Sequence, residues 1–149
     1  MKTTILSLSA LTVAFFTFNS NAFAQKKAKD KVLANKTYTV DMTETTAKKA
    51  GKTETDEISF KSEKLNSKFM TSQNHFPAAT YTVSVDSSSE SMDISFQSDG
   101  KSPDGEEIKW EGTVTDKDIE GTAIISKKGK TKKEYSFTGT LKEKPVKAK

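Results

Sequence analysis

The chain has 149 residues, of which 24 are basic and 20 acidic, with one histidine and no cysteine, and every basic residue is a lysine. Without cysteine there is no disulfide framework, thiolate metal site, cysteine nucleophile or acylated N-terminal cysteine. A single histidine does not supply a multi-histidine zinc site, and the length favours one domain. The formal net charge of +4 is too small to indicate a nucleic-acid-binding protein by itself.

The first 24 residues have the features of a cleaved secretory signal peptide. Lys2 gives a positively charged N-terminal region, and residues 5–18 form an apolar stretch broken only by serine and threonine. Ala22 and Ala24 are the small residues that a signal peptidase needs. The apolar stretch is shorter than the roughly 20 residues of a membrane span. We therefore expect export to a bacterial periplasm or the medium, a flexible lysine-rich segment over residues 25–34, and no transmembrane segment in the mature chain.

The rest of the chain consists of short runs in which apolar and polar residues alternate, which is typical of strands with one buried face. A period of two with one polar face indicates an antiparallel sheet. A weaker strand is expected over Leu65 to Phe69, and no window predicts a convincing helix. The apolar positions of the seven clearer strands are Tyr38, Val40 and Met42; Ile58 and Phe60; Tyr81, Val83 and Val85; Met92, Ile94 and Phe96; Ile108, Trp110 and Val114; Ile119, Ala123 and Ile125; and Tyr135, Phe137 and Leu141.

The connections between these strands are short, which favours a meander in which successive strands pair. Tight turns are expected at Ser62–Lys64, at Thr115–Asp118 and at Gly129, and both Asp99-Gly100 and Asp104-Gly105 are turn formers. About eight strands in this order predict an all-β fold that closes into a small barrel, with two packed sheets as the alternative. We expect the barrel domain to cover residues 35–142 and a disordered tail to follow over 143–149.

One pattern occurs three times near the C-terminal end of the predicted barrel: a large apolar residue, a polar residue, glycine, threonine and a smaller apolar residue. In each copy the glycine has the parity of the inward-facing positions. Glycine inside a strand costs stability, so these positions indicate either close backbone approach and sharp coiling or an internal hollow. The second interpretation predicts a small apolar ligand at one barrel mouth, and its candidate binding residues are Trp110, Gly112, Gly121, Tyr135, Phe137 and Gly139.

The candidates for chemistry are weak. His75 has no orienting carboxylate or nucleophile beside it in the sequence, so it is interpreted as an exposed loop residue. The acids from Asp99 to Glu107 do not match the ligand positions of a calcium-binding loop, because Lys101 and Pro103 occupy two of them. We therefore predict no catalytic residue, no metal site and no cofactor.

Lysines form two runs, one within residues 26–31 and one within residues 127–133. Sequence-specific recognition of nucleic acids relies on arginine forks and exposed aromatic side chains, and neither is indicated here. A charged hairpin tip is usually solvated. The alternative is a weak electrostatic attraction to anionic envelope polymers or lipid headgroups.

Several segments together resemble a family of short exported bacterial β-barrel proteins without an assigned function, and more loosely the lipocalin-like barrels. The resemblance covers about Asp56 to Lys142 and implies an exported barrel; lipocalin-like barrels bind small apolar molecules. The segments that carry it are Ile58-Ser59-Phe60, Leu65 to Phe69, Phe76 to Tyr81, Trp110 to Val114, Ile119 to Thr122 and Tyr135 to Leu141.

Two functions remain open from the sequence. The first is a non-catalytic monomer that binds a small apolar ligand at the barrel mouth. The second is a structural or interaction protein of the cell envelope, with a filled core and charged hairpins as its working surface.

Overall fold

The structure, a computed structural model, describes residues 31–45, 51–86 and 92–143. The predicted signal peptide and the tail beyond Glu143 lie outside the described residues. The elements in chain order are β1 (Thr37–Glu44), β2 (Thr53–Lys61), β3 (Lys64–Ser67), α1 (Lys68–Asn74), β4 (Ala79–Asp86), β5 (Asp93–Lys101), β6 (Glu107–Thr115), β7 (Asp118–Lys127) and β8 (Lys130–Leu141).

The eight strands form one closed antiparallel barrel in which each strand pairs with its neighbours in the sequence. The ladder between β1 and β8, from Tyr38 opposite Leu141 to Glu44 opposite Tyr135, joins the two ends of the meander. The predicted all-β barrel is therefore confirmed, and the alternative of two packed sheets is not what forms. Closure leaves each strand one face for the core and one for solvent.

The hairpins use two-residue turns where the sequence predicted them. Ser62 and Glu63 have φ values of 53° and 60°, and Lys128 and Gly129 have values of 53° and 74°. Positive φ at both central residues is the geometry of a type I′ turn, which matches the twist of the strands it joins. Asp104-Gly105 also lies in a turn, with Gly105 at φ 75°.

The prediction of a turn at Asp99-Gly100 is wrong, because β5 continues through both residues to Lys101. Asp99 lies opposite Lys109 and Gly100 opposite Ile108 in the ladder to β6. The turn comes after the strand, where the Ser102 hydroxyl accepts a hydrogen bond from the Glu106 amide at 3.1 Å. The two Asp-Gly pairs are equally good turn formers by local sequence. The turn forms at Asp104-Gly105 because pairing with β6 extends β5 through Asp99 and Gly100.

The predicted weak strand over Leu65 to Phe69 is only partly correct, because the strand ends at Ser67 and the helix α1 begins at Lys68. The Ser67 hydroxyl caps the helix by accepting a hydrogen bond from the Met70 amide at 3.0 Å. Asp56 of β2 adds a second acceptor, since its Oδ1 accepts from the Phe69 amide at 2.8 Å. These two acceptors satisfy amides that the first turn of a helix leaves without partners.

The segment predicted as flexible, residues 25–34, is described from Lys31 onwards, and its last residues pack on the barrel. Leu33 is fully buried in the core cluster, and the Asn35 amide donates to the carbonyl oxygen of Phe60 at 2.7 Å. The packed domain therefore begins before Asn35, where the prediction placed its start. At the other end, Glu143 pairs with Lys117 at 2.7 Å, and the rest of the predicted tail lies outside the described residues.

The interior is filled by the inward side chains of the strands, and many of them are aromatic. Phe60 lies at the centre of one group, with ring centroids 6.0 Å from Tyr38, 4.9 Å from Tyr81 and 5.1 Å from Phe96. All three contacts are edge-on, which is a favoured arrangement of aromatic pairs. The buried core residues are Leu33, Tyr38, Val40, Met42, Ile58, Phe60, Leu65, Met70, Phe76, Ile94, Phe96, Ile108, Trp110, Val114, Ile119, Ala123, Ile125, Tyr135 and Phe137.

The barrel is closed least completely between β3 and β4, where the ladder has two residue pairs, Lys64 with Thr80 and Leu65 with Ala79. At the far end of β4, the side chains of Val85 and Met92 are 43% and 53% exposed. They are the exposed large hydrophobic residues of the described part of the chain. The remaining apolar residues of the strands are buried or half-buried.

Glu57, on the outer face of β2, joins two distant parts of the chain through ion pairs with Lys68 of α1 and Lys142 after β8. Hydrogen bonds from Lys142 and then from Lys68 lower the pKa of the Glu57 carboxyl to about 2. A carboxyl whose pKa is lower in the folded state stabilises the fold above its unfolded pKa of about 4.3. That stabilisation is lost as the pH falls through the folded-state value of about 2.

We therefore expect E57Q to remove part of the acid dependence of stability between about pH 5 and pH 2. The measurement is the free energy of unfolding in urea against pH, at low and at high salt, because exposed ion pairs are screened. E106Q is the matched control, since no ion pair among the described residues involves Glu106. Identical acid profiles for wild type and E57Q would contradict the assignment.

Candidate functional site

The structure brings the six predicted ligand-binding residues together on three adjacent strands. Trp110 and Tyr135 both lie opposite Ala123 of β7, from either side. One row further along, Gly112 and Phe137 both lie opposite Gly121. Gly139 lies opposite Ile119 of β7 and Val40 of β1. The prediction therefore identified one contiguous patch of the barrel wall.

The aromatic members of this patch are buried. The exposed fractions of Trp110, Tyr135 and Phe137 are 3%, 4% and 1%, and the rings of Trp110 and Phe137 lie 5.7 Å apart between centroids. Burial raises the pKa of the Tyr135 hydroxyl, and the nearby Lys133, which hydrogen-bonds to it, opposes that effect. The ring of Tyr135 therefore belongs to the buried core, while its hydroxyl meets the polar Lys133.

The helix α1 places Phe69 at this end of the barrel, which the sequence did not predict. The rings of Phe69 and Tyr135 meet edge-on with their centroids 5.9 Å apart. Phe69 is half-buried and packs against the core cluster. The mouth beside Tyr135 is therefore covered by a side chain of the protein itself.

The inward glycines are sites of close approach. A Cβ atom at Gly112 would lie 2.5 Å from Cζ of Phe96 and 2.7 Å from the carbonyl oxygen of Glu120. A Cβ at Gly121 would overlap the carbonyl oxygen of Glu111 and lie 2.7 Å from Cζ of Phe137. Real Cβ atoms do not approach other atoms this closely, so the space that each glycine leaves is already occupied by a neighbouring ring or backbone.

Gly139 follows the same rule at the junction of β8 and β1. A Cβ there would overlap the carbonyl oxygen of Thr39 and lie 2.6 Å from the Cα atom of Val40. Because backbone atoms of the neighbouring strand are the nearest obstacles, the glycine permits strong local coiling of the sheet. A ligand at the mouth stays a prediction, and of the three glycines Gly139 is among the lining residues of a groove on the outer face of the barrel.

A groove that the sequence did not predict lies on the outer face of the barrel, across β6, β7, β8 and β1. Its volume is about 720 Å³, and it is open to solvent. The outward side chains form two rows across the four strands, because each residue lies opposite the next in the ladders. The first row is Thr39, Thr140, Asp118 and Thr115, and the second is Asp41, Thr138, Glu120 and Thr113.

Among the described residues, the groove is lined by five threonines, three acids and the less polar Val40, Ile119 and Gly139, and by no lysine. Two of the polar side chains have partners outside the rows: Thr115 donates to Asp93 at 2.7 Å, and Asp41 accepts from Thr55 at 3.2 Å. The three carboxylates therefore give the described lining a negative formal charge. We call it the acidic groove.

The opposite charge is concentrated on the hairpin between β7 and β8. Five lysines occupy residues 127–133, on both sides of the two-residue turn at Lys128-Gly129. A register shift at Ile125 and Ser126 interrupts the ladder just before the tip. None of the ion pairs among the described residues involves these lysines. We call Lys127, Lys128, Lys130, Lys132 and Lys133 the lysine tip.

The residues considered for chemistry lie on two separate segments of the chain, the end of α1 and the β5–β6 hairpin. His75 ends α1 in the left-handed conformation, with φ 57°, and is exposed. Asp99 and Glu107 lie on β5 and β6, where Glu107 is near Lys101 at 3.8 Å. Within the described residues, no three histidine, aspartate or glutamate side chains are close enough to hold a metal ion. No helix in that part of the chain is long and apolar enough to cross a membrane.

The fold and the two charged surfaces define a small closed antiparallel barrel with an acidic groove near one end of its wall and a lysine tip at the other. No family model, curated protein or solved structure matches this chain. The resemblance to short exported barrels therefore stays a prediction.

Proposed function

We propose that this chain is an exported, non-catalytic interaction protein of the bacterial envelope, with a filled interior and the lysine tip as its working surface. The observation that carries the proposal is the packing at the inward glycines. Phe96 and Phe137 occupy the space beside Gly112 and Gly121 that a ligand-binding hollow would need. A barrel of eight strands has an interior just wide enough for its own side chains or for one small ligand.

The lysine tip has the charge and the exposure of a surface that binds anionic partners. A two-residue turn forms the end of the tip, and residues 128–133 are exposed. Lysine ammonium groups act as compact point charges, so they favour anionic partners without demanding a particular geometry. Such binding depends strongly on ionic strength, because the Debye length is about 8 Å at physiological salt. The signal-like N-terminus supports placing this surface in the envelope.

The test is co-sedimentation of the purified chain with phospholipid vesicles that contain or lack an anionic lipid, with inorganic polyphosphate as a soluble competitor. We expect binding to anionic vesicles alone and its loss at high salt. Changing all five lysines of the tip to glutamine is expected to weaken binding by roughly tenfold or more, because each lysine near an anionic surface contributes about 1 kcal/mol.

The matched control changes five other lysines to glutamine, at Lys36, Lys52, Lys61, Lys64 and Lys101, so that the net charge of both variants is equal. Equal loss of binding in the two variants would show that net charge, and not the tip, is responsible. Emission from Trp110, the single tryptophan, gives a second measurement. A spectral shift on titration with fatty acids or prenyl alcohols would favour the apolar-ligand hypothesis instead.

A further inference from the structure

The acidic groove has the chemistry to receive a cation rich in hydrogen-bond donors. Its three carboxylates accept hydrogen bonds only, its five hydroxyls accept or donate, and no lysine is among the described residues that line it. A partner must therefore supply donors and positive charge. Ammonium groups supply both, since each carries three donors and no acceptor.

The chain itself carries such a partner at the other end of the same two strands. The ladder of β7 and β8 begins at Asp118 opposite Thr140, inside the acidic groove, and ends at Lys127 opposite Lys130, in the lysine tip. About nine residue steps of roughly 3.4 Å separate the two ends. The groove and the tip of one molecule are thus too far apart to meet.

We propose that the acidic groove of one molecule receives the lysine tip of a second copy of this chain, head to tail. The inference rests on the proposed function, because it takes the lysine tip as the working surface and names the partner it contacts. The tip is narrow, since its two strands lie only about 4.8 Å apart, and the groove is broad and open. Charge complementarity selects this occupant, because the tip presents five ammonium groups to three carboxylates.

The symmetry of this contact determines the assembly. Groove and tip are different surfaces, so the contact is heterologous and leaves one unused groove and one unused tip at the ends of every dimer. Further copies add at either end unless a rotation closes a ring. Self-association is therefore expected to increase with concentration beyond the dimer and to fall with added salt.

The test is sedimentation velocity of the full chain at low and high salt, with two variants. The groove variant is D41N/D118N/E120Q, which keeps an acceptor oxygen at each position, and the tip variant carries the five lysine-to-glutamine changes. Each variant alone is expected to self-associate roughly tenfold more weakly than wild type. A mixture of the two is expected to form dimers and to stop there, because only one groove and one tip remain competent.

The matched control for the groove is D99N/D104N/E106Q, which removes three exposed or half-exposed acids from the β5–β6 hairpin. A wild type that stays monomeric at low salt would overturn the inference. So would equal weakening by the control, or a mixture of variants that does not dimerise. The vesicle experiment separates the two proposals, because the groove variant keeps its tip and should bind anionic vesicles even if self-association is absent.

Discussion

Replacing Gly121 by alanine is expected to lower the free energy of unfolding by about 3 kcal/mol, near the upper end of overpacking penalties. The added methyl group would overlap the carbonyl oxygen of Glu111 and lie 2.7 Å from both the Cα atom of Gly112 and Cζ of Phe137. Two of these three atoms belong to the backbone of β6, so a side-chain rotation cannot relieve the overlap. The strands must separate, and the β6–β7 ladder is weakened.

The matched control is Gly100→Ala, the same substitution inside a strand of the same barrel. A Cβ at Gly100 would meet the side-chain atoms of Ile108 at 3.0 Å and Ala79 at 3.4 Å, which can move slightly. We expect its effect to stay below about 1 kcal/mol, since alanine also avoids the entropy cost of glycine. Urea unfolding of both variants measures the difference. Equal stabilities of the two variants would mean that there is room for a methyl group at Gly121. That result would support the hypothesis of an internal hollow beside the inward glycines.

The sequence predicted the strands best where one face of the strand is exposed to solvent and the other is buried. Alternation at Tyr38, Val40 and Met42, for example, predicted β1 correctly because these residues are buried while Thr39 and Asp41 between them are exposed. The repeated glycine pattern likewise predicted neighbouring inward positions, which the ladders bring into contact. Both patterns are local and periodic, so they are recognisable in the sequence without knowledge of which strands pair.

The acidic groove could not be predicted in the same way. Its outward threonines and acids are typical of any solvent-exposed strand face. Nothing in the sequence of a single strand marks them as part of a groove. Thr39 lies opposite Thr140 only because β1 and β8 pair, although about a hundred residues separate them. Closure of the barrel creates the surface, and closure is a property of the whole chain. The lysine tip, in contrast, is contiguous in sequence and was visible from the start.

The helix α1 was missed because its determinants are also distant. It has seven residues, and Met70 alone is buried in it, so there is no apolar stripe to recognise. Ser67 is a good N-cap residue, but Met70 stands where a capping box would have glutamate or glutamine. The second acceptor, Asp56, comes from β2 and has the parity of an inward position, where an acid is unexpected.

Asp56→Ala is expected to lower the free energy of unfolding by about 3 kcal/mol, because the lost carboxylate leaves buried donors without an acceptor. Asp56 is 3% exposed and accepts from the amides of Glu57 at 2.7 Å and Phe69 at 2.8 Å. It also accepts from the Ser67 hydroxyl at 2.5 Å, and that hydroxyl caps Met70. One side chain therefore fixes the junction of β2, β3 and α1.

The loss should be concentrated at α1, so hydrogen exchange of the Phe69 and Met70 amides is the decisive measurement beside urea unfolding. We expect both amides to exchange faster in D56A by more than the global destabilisation explains, and Phe69 to lose its contact with Tyr135. Asp41→Ala is the matched control, because Asp41 is exposed and accepts one hydrogen bond, from Thr55. Its effect should stay within about 0.5 kcal/mol. If D56A leaves the exchange of these two amides unchanged, the helix is held by its apolar contacts through Met70 and Phe69, and the cover over the barrel mouth does not depend on the buried carboxylate.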